Sequence, residues 1–447
     1  MRIETFGARG DGQTDNSSAF AAAFEYAREH GGAVISVGSG VWRTGPLTLF
    51  SHTTLCLEAG AVISFIPEPE RYHAVFTRWE GVECYAMHPC LFATGQEDIT
   101  LTGAGVLDGN GQVWWNLLRQ KRAAGQRAPD TALERELAGR NKGYQNQAGG
   151  GGGRNMQFLR PPLVQFHKCS SLRLEGITLC NSPFWTLHPV YCDDLVIQGL
   201  SITNPPDAPN TDGMDIDSCQ NVRINDCYLS VGDDGIAIKS GSGEDGIRVN
   251  RASRDITVRH CVVENAHGGV VIGSETAGGV SAVQVEDCVF RGTDRGIRIK
   301  TRRGRGGAIH DLSFHSLIME DNLCPLAINM YYRCGAGLSD GYFSLEPQPV
   351  SLTTPSIQNI TVSDIRATAC RASAGFIAGL PESPVSKIRI SHCDFATDEA
   401  SEVSPDESDM FLGIPPVREK SFRILNAQDI ELTDVQVRGP VEAFLYR

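Results

Sequence analysis

The chain has 447 residues, with 40 Lys plus Arg against 53 Asp plus Glu and a formal net charge of −13, which argues against a nucleic-acid binder clothed in basic surface. Charged residues at 21% and hydrophobic residues at 41% exclude a disordered chain, and no run approaches the roughly 18 apolar residues of a membrane span. Glycine, at 48 residues, exceeds the average of roughly 7% and asks for many tight turns.

The opening residues Met1 to Gly7 carry Glu4 and no apolar run of signal-peptide length, so a cytoplasmic protein is expected. Asp15-Asn16-Ser17-Ser18 precedes Phe20, Ala23, Phe24 and Ala27, spaced i, i+3, i+4 and i+7, and Gly31 and Gly32 follow. Capping residues, apolar stripe and terminal glycine predict one amphipathic helix that covers the open end of a strand stack. Fourteen cysteines are spread without a CxxC pair or zinc-type spacing. Several, including Cys227, Cys261, Cys288 and Cys393, fall in strand-like runs and read as small buried hydrophobes in a reducing compartment. The stretch from about 117 to 153 is charged, with KRAAGQR and ELAGRNK, and ends in five glycines. It breaks the surrounding pattern and is expected to be a loop insertion, either disordered or lying over a site.

From residue 171 onward one short pattern recurs: SLRLEGITL, DLVIQGLSI, NVRINDCYL, DITVRHCVV, AVQVEDCVF, DLSFHSLIM, NITVSDIRA, KIRISHCDF and DIELTDVQV. Their second residues lie at 172, 195, 222, 256, 283, 312, 360, 388 and 430. Strands with period-2 alternation, returning about every 25 residues without helical signal between them, predict a parallel β-helix, a solenoid with two or three strands per coil. A β-sandwich is the structural competitor, but it does not readily explain nine returns of one strand with the same flanks. The prediction is an all-β fold with one domain over 1–447, an N-terminal cap at 1–50 and the insertion at about 117–153.

Four clusters fall in consecutive repeats: Asn210-Thr211-Asp212-Gly213, Gly232-Asp233-Asp234-Gly235, Ala266-His267-Gly268-Gly269 and Arg298-Ile299-Lys300. Equivalent places in successive coils lie about 4.8 Å apart, so these spacings are compatible with one patch. Each cluster alone reads as turn chemistry or a solvated face. Together, crowded carboxylates raise at least one pKa and suit acetal hydrolysis, in which one carboxyl protonates the leaving oxygen and another activates water. Arg298 and Lys300, two residues apart on a strand, project to one face and suit a substrate carboxylate.

These motifs resemble the polygalacturonases and related pectin hydrolases of glycoside hydrolase family 28, whose signatures Asn-Thr-Asp, Gly/Gln-Asp-Asp, Gly-His-Gly and Arg-Ile-Lys appear here in order. The first glycine of the third is Ala266, a departure beside His267. The resemblance implies a right-handed parallel β-helix and hydrolysis of α-1,4-galacturonosidic bonds with inversion. By position it implies Asp234 as general acid, Asp212 and Asp233 as the pair that activates water, and His267 in support of the acid. Arg298 and Lys300, with Asn210, would bind substrate. Segments GGGGGRNMQFLRPPLVQF, NSPFWTLHPVYC and RIKTRRGRGG resemble the bacterial branch, many of whose members release units from a chain end. On that reading Trp185, His188, Tyr331 and Tyr332 would contact sugar, the alternative for at least two of them being core aromatics, and Arg302, with Arg303 and Arg305, would extend the substrate-binding cationic wall, the alternative being a solvated turn. The partner expected is a galacturonate-containing oligosaccharide or polysaccharide, with no nucleic acid or membrane and with no cofactor or metal. The sequence carries no signal for oligomeric state. Rival readings are a rhamnogalacturonan or xylogalacturonan hydrolase, a calcium-dependent pectate lyase using Asp212, Asp215, Asp233 and Asp234 as ligands, and a non-catalytic carbohydrate-binding β-helix.

Overall fold

All nine repeat copies fold as strands, and the reason lies in their first two residues. The first residue of every copy takes a left-handed backbone: Ser171, Asp194, Asn221, Asp255, Ala282, Asp311, Asn359, Lys387 and Asp429 all have φ between 53° and 60°. Asn and Asp adopt this conformation more readily than other non-glycine residues, which explains their frequency there. The second residue turns inward, and Leu172, Leu195, Val222, Ile256, Val283, Leu312, Ile360 and Ile388 are at most 2% exposed. Each such burial contributes roughly 1.5–3 kcal/mol.

The structure, a computed structural model, describes residues 1–147, 151–336 and 340–446. They fall into two compact units, Met1–Asp233 and Asp234–Arg447. In the first unit each coil supplies strands to three parallel ladders. One stacks Glu97–Gly103, Ser170–Glu175, Asp193–Gln198 and Gln220–Asn225 in register, with Ile99 against Leu172, Leu172 against Leu195 and Leu195 against Val222. A second stacks Leu91–Thr94, Val164–His167, Leu187–Val190 and Met214–Asp217. A third runs through Val106–Asp108, Thr178–Cys180, Ser201–Thr203 and Tyr228–Ser230. An antiparallel hairpin, Ala74–Trp79 with Val82–Met87, stands apart from the ladders.

The predicted N-terminal helix is α1, Ser17–Glu29, with Phe20, Ala23, Phe24 and Ala27 buried against strands Ala33–Val37, Gly40–Thr44 and Leu47–Thr48. Asp15 rather than Asn16 meets the helix start, accepting the Ser17 N–H at 3.0 Å. Asn16 instead ties three carbonyls, of Arg9, Thr14 and Arg43.

The loop expected at 117–153 is corrected by the structure, which places two helices there, α2 over Gln112–Ala123 and α3 over Ala132–Arg140. Trp114, Trp115 and Leu118 form the buried face of α2, and a capping box starts α3, where Thr131 Oγ1 accepts the Glu134 N–H and Glu134 accepts the Thr131 N–H. The charged residues that suggested a loop are strong helix formers on the solvent side. Residues 148–150, an alanine and the first two glycines of the run, lie outside the described residues.

In the second unit one ladder stacks Ser253–Arg259, Val280–Glu286, Ala308–Glu320, Ser356–Cys370, Val385–Thr397 and Ala427–Arg438. A second stacks Asp234–Lys239, Gly268–Gly273, Arg295–Lys300, Cys324–Asn329, Gly375–Ala378 and Phe422–Leu425, and Val262–Glu264 pairs with Val289–Arg291 in a third. Among the described residues its one α-helix, α4, covers Gly243–Val249, and a short 3-10 helix covers Pro405–Ser408. Parallel pairing with one strand per ladder per coil is the β-helix that the repeat predicts, right-handed as parallel crossovers are. No described helix is long and apolar enough to cross a membrane.

Candidate active site

In the first unit the acidic turn is organised from beneath by two residues. Asn204 accepts the Ser182 N–H at 2.8 Å and donates to Thr186 Oγ1 at 2.9 Å and to the Thr211 carbonyl at 3.5 Å. Thr211 in turn donates to the Ala208 carbonyl. Asn210 takes a left-handed backbone, φ 57°, and its Oδ1 accepts Arg160 Nη2 at 2.8 Å. Asp212 is 3% exposed, Asp233 is half-buried, and their carboxylate oxygens approach within 4.8 Å.

Like charges so close need a counterion. Arg160, which sequence reasoning quoted within a motif but gave no role, supplies one. It is fully buried, donates to the Pro183 and Pro209 carbonyls at 2.8 and 2.9 Å, and lies over the Phe184 ring at 5.0 Å. Burial pushes its guanidinium down to about 9, and Asp212 and Asp233 are among the acids that favour its charged form. Trp185 stacks on Phe184 and lies edge-on to His188. His188 is fully buried, hydrogen-bonded through Nδ1 to Gln165 and 3.7 Å from Asp217. Asp217 itself pairs with the buried Arg78 at 2.7 Å.

In the second unit Asp234 opens a strand whose every residue is buried. Lys300 Nζ donates to its Oδ2 at 2.6 Å and Arg298 Nη1 lies 3.5 Å from its Oδ1. The contact is not between residues level in the register: Asp234 pairs with Gly268, whereas Arg298 pairs with Val271, which is level with Ala237, and Lys300 pairs with Gly273, so the long side chains of the two cations reach back to Asp234. A side chain at Gly268 would run into Val271 at 2.4 Å. His267, exposed, directly precedes that glycine. Ala266 is accommodated in a buried position, its carbonyl accepting the Asp294 N–H at 2.9 Å.

Arg298 has a second partner that the sequence did not reveal, Asp409, whose Oδ1 accepts Nη2 at 2.9 Å. Burial alone would lower the Arg298 guanidinium, but Asp409 and Asp234 outweigh it and hold it raised. Burial would raise Asp409, and Arg298 and Arg295 outweigh it in the same way, holding it below the usual carboxylate range. Tyr332 lies under both cations, 5.4 Å from Arg298 and 5.1 Å from Lys300, and burial pushes its hydroxyl up to about 12. Tyr331 stacks on Phe411 at 4.2 Å.

The three arginines after Lys300 differ in what holds them. Arg303 is committed to structure, with two hydrogen bonds to Glu382 and others to the Tyr342 and Ser344 carbonyls. Arg305 donates to Ser242 and lies 3.9 Å from Glu275. The Arg302 guanidinium, 3% exposed, stacks over Tyr342 at 4.8 Å and makes no hydrogen bond or ion pair among the described residues. Burial first, and Arg305 second, push it down to about 10. Glu275, also missed from sequence, joins this wall 3.5 Å from Lys239. Lys239, Arg305 and Lys300 overcome its burial and keep it below the usual range.

Paired carboxylates with a buried counterion in one unit, and a carboxylate bracketed by two cations in the other, are groups able to move protons and bind an anionic sugar. A family model, Glycosyl hydrolases family 28, matches residues 142–404. A probable polygalacturonase of Vitis vinifera is 31% identical over 397 residues, 87% of this chain and 72% of its own. A polygalacturonase of Chamaecyparis obtusa is 28% identical over 84% of this chain and 62% of its own. Among solved structures, a hyperthermoactive exopolygalacturonase of Thermotoga maritima matches with a TM-score of 0.77 at 30% identity, over 97% of this chain and 91% of its own. A family 28 exopolygalacturonase of Yersinia enterocolitica shares the fold, with a TM-score of 0.73 at 19% identity over 100% and 76%. With the signature residues in order on a parallel β-helix and a family match across more than half its length, the chain belongs to the glycosyl hydrolases of family 28 and is a glycoside hydrolase.

Proposed function

We propose that the chain hydrolyses α-1,4-galacturonosidic bonds with inversion and releases units from a chain end. The observation that carries this reading is the bracketing of Asp234 by Lys300 and Arg298. A galacturonate carboxylate beside the scissile bond would compete with Asp234 for these two cations. Sharing them would free Asp234 to carry the proton that the leaving oxygen needs. Asp212 and Asp233, kept as a pair by Arg160, would accept the proton of the attacking water. His267 would orient substrate or support the acid.

Exo action is supported by the way the insertion is anchored. From α2, Arg119 Nη2 donates to both the carbonyl and the carboxylate of Asp207, each at 2.8 Å, on the turn that leads to Asp212. The Gly152 N–H donates to Glu80 on the hairpin at 2.9 Å. The insertion thus stands beside the Asn210–Asp212 turn, where it would close one end of a groove. A reducing compartment is supported by fourteen free thiols.

A time course on trigalacturonate tests all parts at once. We expect monogalacturonate with digalacturonate from the first minutes, and proton NMR showing the β anomer at the new reducing end before mutarotation. Polygalacturonate solutions should lose viscosity slowly relative to reducing sugar released. An initial α anomer would remove inversion, early viscosity loss would remove exo action, and products absorbing in the ultraviolet would indicate elimination instead.

A further inference from the structure

The helical insertion and the segment after it line a half-open cavity that the catalytic residues do not use. Its volume is about 520 Å³, and Arg122, Arg127, Arg154, Gln126, Gln145 and Tyr144 contribute to its wall. That size falls within the roughly 300–1,000 Å³ of small-molecule sites. Among the described residues three cations and no carboxylate line it, in a chain whose net charge is −13, with Glu80 near enough to favour the charged form of Arg122 against its burial.

Two of the cations are uncommitted. Neither Arg122 nor Arg127 makes a side-chain hydrogen bond or ion pair among the described residues. Arg154 is 2% exposed; it donates to Gln147 at 3.0 Å and to the Trp79 carbonyl, and its Nε has no partner. The amide side chains suit sugar hydroxyls, and Tyr144 offers an apolar face. The cavity also adjoins the acidic turn: a Cβ placed on Gly151, one of its lining residues, would lie 3.5 Å from Asn210 Nδ2 and 3.8 Å from Arg122 Nη2. Asn210 stands two residues before Asp212.

We propose that this cavity is a binding site for the carboxylate-bearing terminal unit of the substrate, held by Arg122 and Arg127, so that the insertion measures the chain end as well as closing the groove. The inference rests on the proposed action on galacturonides and adds to it a site remote from the cleaved bond. An arginine fork matches a carboxylate in two parallel hydrogen bonds, whereas a methyl ester offers no charge to pair.

The test separates binding from turnover. In an Asp234→Asn chain, calorimetry would measure the affinity for di-, tri- and tetragalacturonate and for methyl-esterified trigalacturonate, with and without Arg122→Ala and Arg127→Ala. Because neither arginine makes a side-chain hydrogen bond or ion pair among the described residues, these variants should melt within a few degrees of the parental temperature. We expect the double variant to bind trigalacturonate roughly tenfold more weakly, as the loss of a charge-assisted contact implies. Its affinity for digalacturonate and for the methyl ester should change less than about twofold. Equal losses on all four ligands, or none on any, would overturn the pocket. Failure of the unsubstituted chain to cleave trigalacturonate that it nevertheless binds in this length-dependent way would sink the hydrolytic reading alone.

Discussion

Two kinds of strand run side by side in the second unit and follow different rules. In Val280–Glu286 buried residues alternate with partly exposed ones, so water draws the line between the two faces. In Arg295–Lys300 every residue is buried, and the line is chemical, with Ile297 and Ile299 on one face and Arg298 and Lys300 on the other. Buried cations cost solvation that only well-placed partners offset. Asp234 and Asp409 are those partners, and a fold that needed only a core would fill such positions with valine, as it does at Val270 and Val271. The first strand type keeps the solenoid together; the second carries groups that a solenoid has no structural need to hold.

That contrast yields expectations of decreasing size. Asp234→Asn should lower turnover of trigalacturonate by a factor of roughly 10²–10⁴, the usual worth of a general acid, and, because it removes the carboxylate that offsets the buried Lys300, should also lower the melting temperature. Gln284→Ala, on the watery side of a repeat strand, should leave turnover at the parental value. Equal turnover in the Asp234 variant would dissolve the distinction between the strand types.

Asp409→Asn breaks a buried pair by removing one partner, which typically costs about 3–5 kcal/mol. Because the folded-state pKa of Asp409 is depressed, its contribution is fully present above the ordinary carboxyl value of about 4 and fades as pH falls through the folded value. Urea titrations of parent and variant should therefore differ most at pH 6, with the gap narrowing as pH falls below the ordinary carboxyl range. A constant gap across that range would mean that charge at Asp409 is not what stabilises Arg298.

Ile360→Ala, in a repeat strand, should cost about 2–5 kcal/mol through the cavity it leaves, with turnover per folded molecule unchanged. Loss of specific activity at full folding would show that the repeat strands do more than support.

The repeat strands were legible because one face meets water and the inward residue recurs at every coil. α1 was legible for the same reason, a 3.6-period stripe between polar ends. α2 and α3 were hidden, since their solvent faces are charged and the glycine run after them suggested a loop. Among site residues, Asp212, Asp233, Asp234, His267, Arg298 and Lys300 stood out because their short motifs fall in consecutive repeats of the sequence. Arg160, Glu275 and Asp409 did not, for they act through partners remote in sequence; Asp409 lies 111 positions from Arg298. A buried charge in an irregular segment has no periodicity to betray it.

The left-handed corner that opens each repeat strand has a consequence for how such a protein changes length. Each coil carries its own bends in a few tolerant residues, as in Tyr191, Asp194 and Gly199, so a duplicated coil arrives with its geometry included and lengthens the stack by one rung, about 4.8 Å. Lineages can thus extend or shorten the surface available to a polymer in fixed increments without redesigning the coils already present. A β-branched residue drifting into one of those nine corners, by contrast, would jam the register of everything stacked beyond it.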